Sequence, residues 1–182
     1  MRKSKQAPPN PLSAALRMLA RRPYSVAELR RALERKFPEA ATVPAVLTRL
    51  RELGYLDDKK FAEQTAYSLA QNRALGPHRV RRELKAKLVN YKHIEAAVAQ
   101  AYQETPAREL LEQALSKKLR TLRLPLTRTR FHSLCQSLLR RGFNTGDIIK
   151  AVRARPELTP VAEEVEVADL ETSGDHPDPG RS

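Results

Sequence analysis

The sequence contains one cysteine, no tryptophan and few aromatic residues. Cys135 has no second cysteine with which to form an internal disulfide or a cysteine-based metal site. It lies beside Leu134 and Leu138 on an apolar stripe, and we therefore expect a thiol that is buried in the core. Because aromatic residues make up only 5% of the chain, stacking on bases is not expected to be its main means of holding a nucleic-acid strand.

Long apolar runs and strand patterns are also missing. No apolar run approaches the roughly 20 residues that cross a bilayer, and no apolar stretch follows the basic N-terminus as in a signal peptide. No alternating apolar and polar run is bounded by turn pairs, so strands are not expected. The sequence therefore predicts a soluble, cytoplasmic, all-α protein that does not contact membranes.

The residue patterns of catalysis and metal binding are not found either. Asp57 and Asp58 are adjacent, and they are better explained as helix caps than as an acid–base pair. The histidines lack the i, i+4 spacing of a helical zinc site, and no GxxxxGKS/T loop for a nucleotide is present. We therefore expect no enzyme activity, no catalytic residue, no metal and no cofactor.

Positive charge is in large excess and is unevenly distributed. The formal net charge of the chain is +13. Residues 156–182 contain eight acids and one base, a net charge of −7, which leaves +20 on residues 1–155. A body this basic indicates a polyanion or an acidic protein surface as partner, although a basic face that is only solvated is the simpler alternative.

Residues 54–88 carry the clearest helical pattern in the chain. Asp57 can cap a helix by accepting backbone N–H groups of the first turn, while Leu56 and Phe61 can pack across the cap as a hydrophobic staple. Gly76 then interrupts the pattern, and the proline that follows it suits the first turn of a new helix. We expect two helices joined by a short turn.

The second of these helices is strongly basic. Leu84 belongs to its narrow apolar stripe, which must pack against the rest of the protein. The remaining circumference must face solvent or an anionic partner. It carries five bases, namely Arg79, Arg81, Arg82, Lys85 and Lys87.

Similar signals occur near the N-terminus. Leu12, Ala15, Leu16 and Leu19 share the apolar face of a first helix. Ser25 and Glu28 then have the spacing of a capping box, which predicts the start of a second helix.

The pattern of cap, staple and apolar stripe recurs along the whole chain. Leu33, Leu84 and Leu138 occupy equivalent positions, since each is followed three residues later by a base and ten residues later by a β-branched apolar residue. Units of this kind bury their faces against their neighbours. We therefore expect an elongated, curved tandem of three three-helix repeats with disordered termini.

These patterns divide the chain into five predicted segments. The three repeats are expected at residues 12–54, 55–103 and 104–155. A flexible basic tail precedes them at residues 1–11, and a disordered, proline-rich acidic tail follows them at residues 156–182. The acidic tail can either fold back over the basic body and compete with DNA or serve only to keep the protein soluble.

Three motifs together identify a family resemblance. They are Leu19-x-x-Arg22-x-x-Ser25-x-x-Glu28-Leu29, Gly54-Tyr55-Leu56-Asp57-Asp58-x-x-Phe61-Ala62, and Arg73-x-x-Gly76-x-x-x-Val80-x-x-Glu83-Leu84-x-x-Lys87. The sequence resembles the RecX family of bacterial recombination regulators in these residues. The resemblance covers roughly residues 12–155, and its central stretch is the most specific part.

The resemblance implies three three-helix repeats, binding to RecA and the RecA–DNA filament, and inhibition of the recombinase, ATPase and coprotease activities of RecA. We expect a monomer that can also bind DNA directly without sequence preference. In many relatives a glycine follows the base that ends the second helix of each repeat. Gly142 fits this pattern, whereas Phe37 and Leu88 depart from it, and the acidic tail is not part of the family pattern.

The basic clusters are the predicted contact surface for RecA, for DNA or for both. The candidate contact residues are Arg79, Arg81, Arg82, Lys85, Lys87, Arg30, Arg31, Arg140 and Arg141. Further bases of the third repeat, among them Lys118, Arg123 and Arg130, extend the same charge. The candidate scaffold residues are Tyr55, Leu56, Asp57, Phe61, Gly76 and Leu84.

Two other classes of function remain open at this point. A helical DNA-binding protein that acts directly on DNA without RecA would be expected to form a dimer and to read bases with residues such as Asn or Gln. The basic helix is almost entirely Arg and Lys, which favours contacts that position the protein over contacts that read sequence. A structural helical adaptor with a merely solubilising charge is the third possibility.

Overall fold

The structure, a computed structural model, describes residues 10–39 and 41–163. The helices are α1 (Pro11–Leu19), α2 (Val26–Lys36), α3 (Val43–Glu52), α4 (Asp58–Tyr67), α5 (Pro77–Ala86), α6 (Tyr91–Ala101), α7 (Ala107–Leu119), α8 (Arg128–Arg140), α9 (Thr145–Arg153) and α10 (Thr159–Glu163). A π-helical turn, Ser68–Asn72, follows α4. No strand occurs within the described ranges, which confirms the predicted all-α fold. The repeat boundaries and the curved shape stay predictions.

Helix starts are fixed by side chains that accept hydrogen bonds from the first turn. Ser25 Oγ accepts from the N–H of Glu28 at 3.1 Å, ahead of α2. Asp57 Oδ1 accepts from the N–H of Lys60 at 3.0 Å, ahead of α4. Such bonds satisfy donors that have no partner within the helix. Both predicted caps are confirmed.

The chain divides into two compact units, unit 1 (residues 1–65 and 83–97) and unit 2 (residues 66–82 and 98–182), each as far as the structure describes it. In unit 1, α1, α2 and α3 pack against one another. The core of unit 1 contains Ala14, Ala15, Val26, Leu29, Leu33, Val43, Leu47, Leu50 and Leu56. The scaffold candidates Phe61 and Leu84 are also buried.

In unit 2, α7, α8 and α9 pack against one another, and α10 packs against α8 and α9. The fully buried side chains of these helices include Leu111, Leu115, Phe131, Leu138 and Ile148, and Leu158, directly before α10, is fully buried as well. Cys135 on α8 is fully buried as well, and burial raises the pKa of its thiol to about 11. The prediction of a core thiol is confirmed.

The apolar face expected for α1 is only partly correct. Ala15 is buried and Leu19 packs against the core, as predicted, but Leu12 and Leu16 are 38% and 39% exposed, and Ala14, outside the predicted face, is buried. Small side chains let α1 approach α2 and α3 closely, and the larger leucines are left at the margin of the contact. Helical periodicity alone cannot choose between these two neighbouring faces.

Tyr55, a candidate scaffold residue, is 58% exposed and is not a core residue. Gly54 has a φ of +75°, and the N–H of Tyr55 donates to the carbonyl of Leu50 at 2.9 Å. This left-handed helix end turns the chain so that Leu56, only 4% exposed, enters the core instead.

The first residues of the predicted acidic tail, 156–163, belong to the described part of the chain. Residues 159–163 form α10, and the side chains of Leu158 and Val161 are buried. Prolines and acids dominate the composition here, and they conceal two apolar residues at the i, i+3 spacing of one helical face. The rest of that predicted tail, from residue 164, and the first nine residues of the N-terminal tail lie outside the described residues.

Candidate polyanion interface

The basic helix α5 has the predicted amphipathic form. Val80 and Leu84 are fully buried. Arg82 and Lys85 are exposed, and Arg79 is half-buried. The helix thus presents cationic side chains on the surface that its apolar stripe leaves uncovered.

The start of α5 is held against the end of α8 within unit 2 by two glycines. The N–H of Gly76 donates to the carbonyl of Arg141 at 2.8 Å, and the N–H of His78 donates to the carbonyl of Gly142 at 3.2 Å. A Cβ on Gly76 would lie 2.2 Å from the Gly142 carbonyl oxygen, and a Cβ on Gly142 would lie 2.2 Å from the backbone nitrogen of Arg79. Only glycine permits this approach of two backbones, which explains why Gly76 belongs to the scaffold.

The first cleft of the candidate interface lies beside this backbone contact. It has a volume of about 320 Å³ and is lined by His78, Arg79, Arg82, Gln136, Leu139, Arg140 and Gly142. Three guanidinium groups from two helices therefore line one concave surface, and no carboxylate belongs to the described residues that line it. The N–H of His78 is already bonded to Gly142, so cationic side chains rather than the helix terminus supply the attraction for an anion.

Arg140 also lines a second cleft. It has a volume of about 500 Å³ and is lined by Lys118, Thr121, Leu122, Arg123, Arg130, Ser133, Leu134, Ser137 and Arg140. Its four bases are donors suited to phosphate or carboxylate oxygens. The hydroxyl groups of Thr121 and Ser137 already donate to the carbonyls of Lys118 and Leu134. Here too no acid is among the described residues that line the cleft.

Arg140 lines both clefts and joins them into one surface, which we call the α8 basic track. The track consists of Arg79, Arg82, Lys118, Arg123, Arg130 and Arg140. The separation of ten positions between Arg130 and Arg140 corresponds to about 15 Å along a helix axis. The sequence indicates that these bases belong to a positively charged region. It does not show that Lys118, Arg123 and Arg130 share a cleft with Arg140.

Two of the candidate contact residues make contacts inside the fold. Arg141 is half-buried, and its Nη1 donates to the carbonyl of Ala74 at 3.4 Å, which holds the turn ahead of α5. The carbonyl of Lys87 accepts from Ser25 Oγ, and its ammonium lies 5.9 Å from the ring centroid of Phe61. These two residues therefore have structural roles whether or not they contact a partner.

The remaining candidates are distributed over both units. Arg30 and Arg31 are exposed on α2 in unit 1. Lys85 also belongs to unit 1, whereas Arg81 belongs to unit 2 and is half-buried. None of these four lines either cleft of the α8 basic track, and as contact residues they stay predictions.

The motif residue Arg22 has a structural role in unit 1. Its guanidinium forms two hydrogen bonds with the Glu28 carboxylate, at 2.9 and 3.1 Å, and lies 3.7 Å from the ring centroid of Tyr24. The bond to Glu28 raises the pKa of Arg22. The first motif thus describes a helix start in which ion pair, aromatic ring and cap support one another.

Neither metal sites nor membrane spans emerge from the described part of the chain. No group of three or more His, Cys, Asp or Glu side chains in it is arranged to hold a metal ion. None of its helices combines the length and the apolar composition that crossing a membrane requires.

Known proteins resemble this chain in sequence and in fold. Family models described as RecX, first three-helix domain, and RecX, second three-helix domain, match residues 12–50 and 57–98. Regulatory protein RecX of Thermobifida fusca is 34% identical over 155 residues, which cover 84% of this chain and 80% of the relative. The same-named protein of Chlorobaculum tepidum is 33% identical over 142 residues, covering 78% of this chain and 86% of the relative.

Solved structures share the fold at low sequence identity. The crystal structure of RecX from Lactobacillus salivarius is 20% identical and has a TM-score of 0.67, covering 79% of this chain and 93% of the other. A second crystal structure of a regulatory protein RecX is 21% identical, with a TM-score of 0.68 and coverage of 80% and 72%. Together with the sequence matches, these likenesses lead to one conclusion: the chain belongs to the RecX family of regulatory proteins.

Proposed function

We propose that this protein binds RecA and the RecA–DNA filament and mainly inhibits the recombinase, ATPase and coprotease activities of the filament. The observation that carries the proposal is the match to RecX regulatory proteins over most of the chain. The family resemblance supplies RecA as the partner. Regulation by binding, without catalysis by this chain, agrees with the lack of a recognisable catalytic set in its sequence.

The α8 basic track supports the electrostatic part of the proposal. A nucleoprotein filament presents phosphates and acidic side chains, and guanidinium groups bind both in charge-assisted hydrogen bonds. Salt weakens an attraction of this kind. Binding releases counterions from the nucleic acid, and this release becomes less favourable as the salt concentration rises. We place the first contacts at the exposed ends of Arg82 and Arg140.

Inhibition requires more than binding. A ligand shifts an equilibrium only if it binds one state more tightly than another. The protein must therefore prefer an inactive or shortened filament to the active one, or occupy a surface that strand exchange needs. Both mechanisms remain within the proposal, and both predict loss of RecA activity as the protein is added.

The main rival is direct binding to DNA without RecA. The specific observation in its favour is that bases line both clefts of the track, hydroxyl groups line the second cleft, and no acid is among the described residues that line either cleft. This lining suits a phosphodiester backbone as well as it suits a protein surface. The experiment must therefore separate the two partners.

The test is RecA-dependent ATP hydrolysis on single-stranded DNA at physiological salt, with the protein titrated in the presence of excess competing duplex. We expect loss of hydrolysis at substoichiometric protein, insensitive to the competitor. Loss that the duplex abolishes would assign the protein to direct DNA binding, and no loss at all would contradict the proposal.

A pair of charge-reversed variants locates the contact. Arg82→Glu combined with Arg140→Glu should weaken inhibition strongly. The matched control, Arg108→Glu combined with Lys150→Glu, changes the net charge equally at exposed positions of unit 2 that line neither cleft. Equal loss in both variants would mean that overall charge, and not the track, is responsible.

A further inference from the structure

The acidic segment of the chain begins on the same unit that carries the α8 basic track. The short helix α10 packs against α8 and α9, and Leu158 and Val161 anchor it. Just before it, Arg155 Nη2 lies 2.9 Å from Glu112 Oε2 and 2.8 Å from Ser116 Oγ, which ties the end of α9 to α7. The attachment point of residues 164–182 is therefore fixed on unit 2.

Residues 164–182 and unit 2 have opposite charges. The segment contains six carboxylates, namely Glu164, Glu166, Asp169, Glu171, Asp175 and Asp178, against one arginine, a net charge of −5. Without this segment and residues 156–163, unit 2 carries sixteen bases and four acids, a net charge of +12. Within it, residues 113–146 contain eight bases and no acid. The strongest attraction for the segment in its own unit thus lies around the two clefts.

Chain length lets the segment reach every part of the track. Nineteen residues span at most about 60 Å when extended, whereas a folded unit of about 100 residues has a radius of gyration of about 13 Å. A tether of this length gives the carboxylates an effective concentration of the order of millimolar near the clefts. At such a concentration, ion pairs that are individually weak are enough for the segment to occupy the clefts for much of the time.

We propose that residues 164–182 dock on the α8 basic track of the same chain and compete there with the anionic partner. Only the identity of that partner rests on the proposed function. Carboxylates of the segment take the places that phosphate or acidic side chains occupy in a complex, since guanidinium groups accept either. Isolated or weakly held polyanions lose this competition, whereas a dense phosphate array displaces the segment.

Docking has a consequence for salt dependence. A polyanion that binds the free track releases counterions in proportion to the charges it neutralises. When the segment occupies the track, added salt also weakens the ion pairs of the segment itself, which partly offsets the loss of affinity for DNA. The full chain should therefore bind DNA more weakly at low salt and show a shallower fall of affinity with salt than a chain without residues 164–182.

The direct test is paramagnetic relaxation in the ¹⁵N-labelled full chain, with a nitroxide on Ser173→Cys. The native thiol of Cys135 is buried and stays unlabelled, which the unsubstituted chain verifies. We expect broadening of backbone amides at Arg82, Arg130 and Arg140, and its disappearance near 1 M salt, where the screening length is about 3 Å. Broadening that avoids the track, or that survives replacement of the six acids by Asn and Gln, would overturn the proposal.

Two further measurements complete the test. The first mixes a spin-labelled chain that lacks ¹⁵N with a ¹⁵N-labelled chain that carries no nitroxide. We expect no broadening in this mixture, because broadening there would assign the contact to a second copy.

The second measurement is binding of a thymidine oligonucleotide of about 15 nucleotides at low salt. Binding should tighten roughly tenfold or more on deletion of residues 164–182. In the Arg130→Glu, Arg140→Glu variant, the deletion should not tighten oligonucleotide binding. In the Arg108→Glu, Lys150→Glu control, the deletion should still tighten it.

Equal tightening in both backgrounds would indicate a general effect of net charge and contradict docking at the track. The relaxation measurement uses neither RecA nor DNA. If the protein does not inhibit RecA, the relaxation measurement is unaffected. If the segment does not dock on the track, the prediction of RecA inhibition is unaffected.

Discussion

The hydroxyl group of Ser25 donates a hydrogen bond to the backbone carbonyl of Lys87, 62 positions further along the chain. The same oxygen accepts from the N–H of Glu28, and the N–H of Val26 donates to Asp58 Oδ1 at 2.8 Å. One buried serine thus caps α2 and ties it to the end of α5 within unit 1. The three sequence motifs meet in this contact, which gives their residue types a common physical reason.

Replacement of Ser25 should destabilise the protein by about 2 kcal/mol. Ser25→Ala removes a helix cap and leaves the carbonyl of Lys87 without its donor in a buried place, and each effect costs about 1 kcal/mol or more. Urea unfolding followed by circular dichroism measures the loss. Ser133→Ala at an exposed position of α8 is the control and should change the free energy of unfolding by less than about 0.5 kcal/mol. A similar small change at Ser25 would show that the contact is not stabilising.

Caps of this kind could be predicted from the sequence because they depend on residues three positions apart. Ser25 and Asp57 were identified on that basis. The partner of the Ser25 hydroxyl was not, since no local pattern relates Ser25 to Lys87. Local signals therefore locate the helix starts, while the contacts that join helices depend on residues far apart in the chain.

The same limit applies to the candidate interface. Net charge in the sequence indicated an anionic partner, but the grouping of Arg79 with Arg140 depends on backbone contact between Gly76 and Gly142. The sequence marked Gly76 as a helix break and a scaffold candidate, but it did not show which backbone Gly76 approaches. Composition also concealed α10, because two buried apolar residues, Leu158 and Val161, lie among prolines and acids.

Alanine at Gly76 should be far more destabilising than alanine at Gly54. A Cβ on Gly76 would meet backbone atoms of Gly142 at 2.2 Å, whereas Gly54, with φ of +75°, has nothing within 4 Å. The Gly54 variant therefore suffers only the left-handed strain of about 1–2 kcal/mol. Gly76→Ala must separate two backbones, and we expect a loss of about 3 kcal/mol or more. Equal losses in urea unfolding would contradict the close packing at this site.

Glycine at Leu88 should stabilise the protein. Leu88 has φ of +58°, in the left-handed region, and is 42% exposed. Relief of the left-handed strain outweighs the extra entropy of an unfolded glycine, so Leu88→Gly should add about 0.5–1 kcal/mol.

Phe37 provides the contrast for this prediction. Its φ is −134°, which any residue adopts, and it packs against the core of unit 1. Phe37→Gly should therefore lower the free energy of unfolding. The same sign for both variants would mean that backbone conformation does not determine the effect.

The stability of the protein should decline above pH 9 partly because of Cys135. Burial raises the pKa of this thiol from 9.0 to about 11, so the unfolded chain releases the proton at lower pH than the folded chain. The contribution is complete below pH 9 and is lost as pH rises toward 11, by up to about 1.4 kcal/mol per pH unit. Urea unfolding of Cys135→Ala between pH 8 and pH 11 should show a shallower decline than the native chain. Parallel declines would exclude the thiol as the cause.

Arg140 and Arg141 are neighbours whose substitution should have different effects. Arg140 is exposed and lines both clefts, so Arg140→Gln should leave stability within about 0.5 kcal/mol. It should weaken binding of a thymidine oligonucleotide and reduce the slope of log affinity against log salt by about one.

Arg141 is half-buried, and its Nη1 donates to the carbonyl of Ala74 at 3.4 Å. Arg141→Gln should lower the free energy of unfolding by about 1 kcal/mol, because the turn ahead of α5 loses a donor. The two variants have the same net charge, so each serves as the control for the other in both assays. Identical effects on binding and on stability would show that the structure assigns these neighbours incorrectly. Opposite effects would separate an arginine that holds the fold from one that serves the α8 basic track.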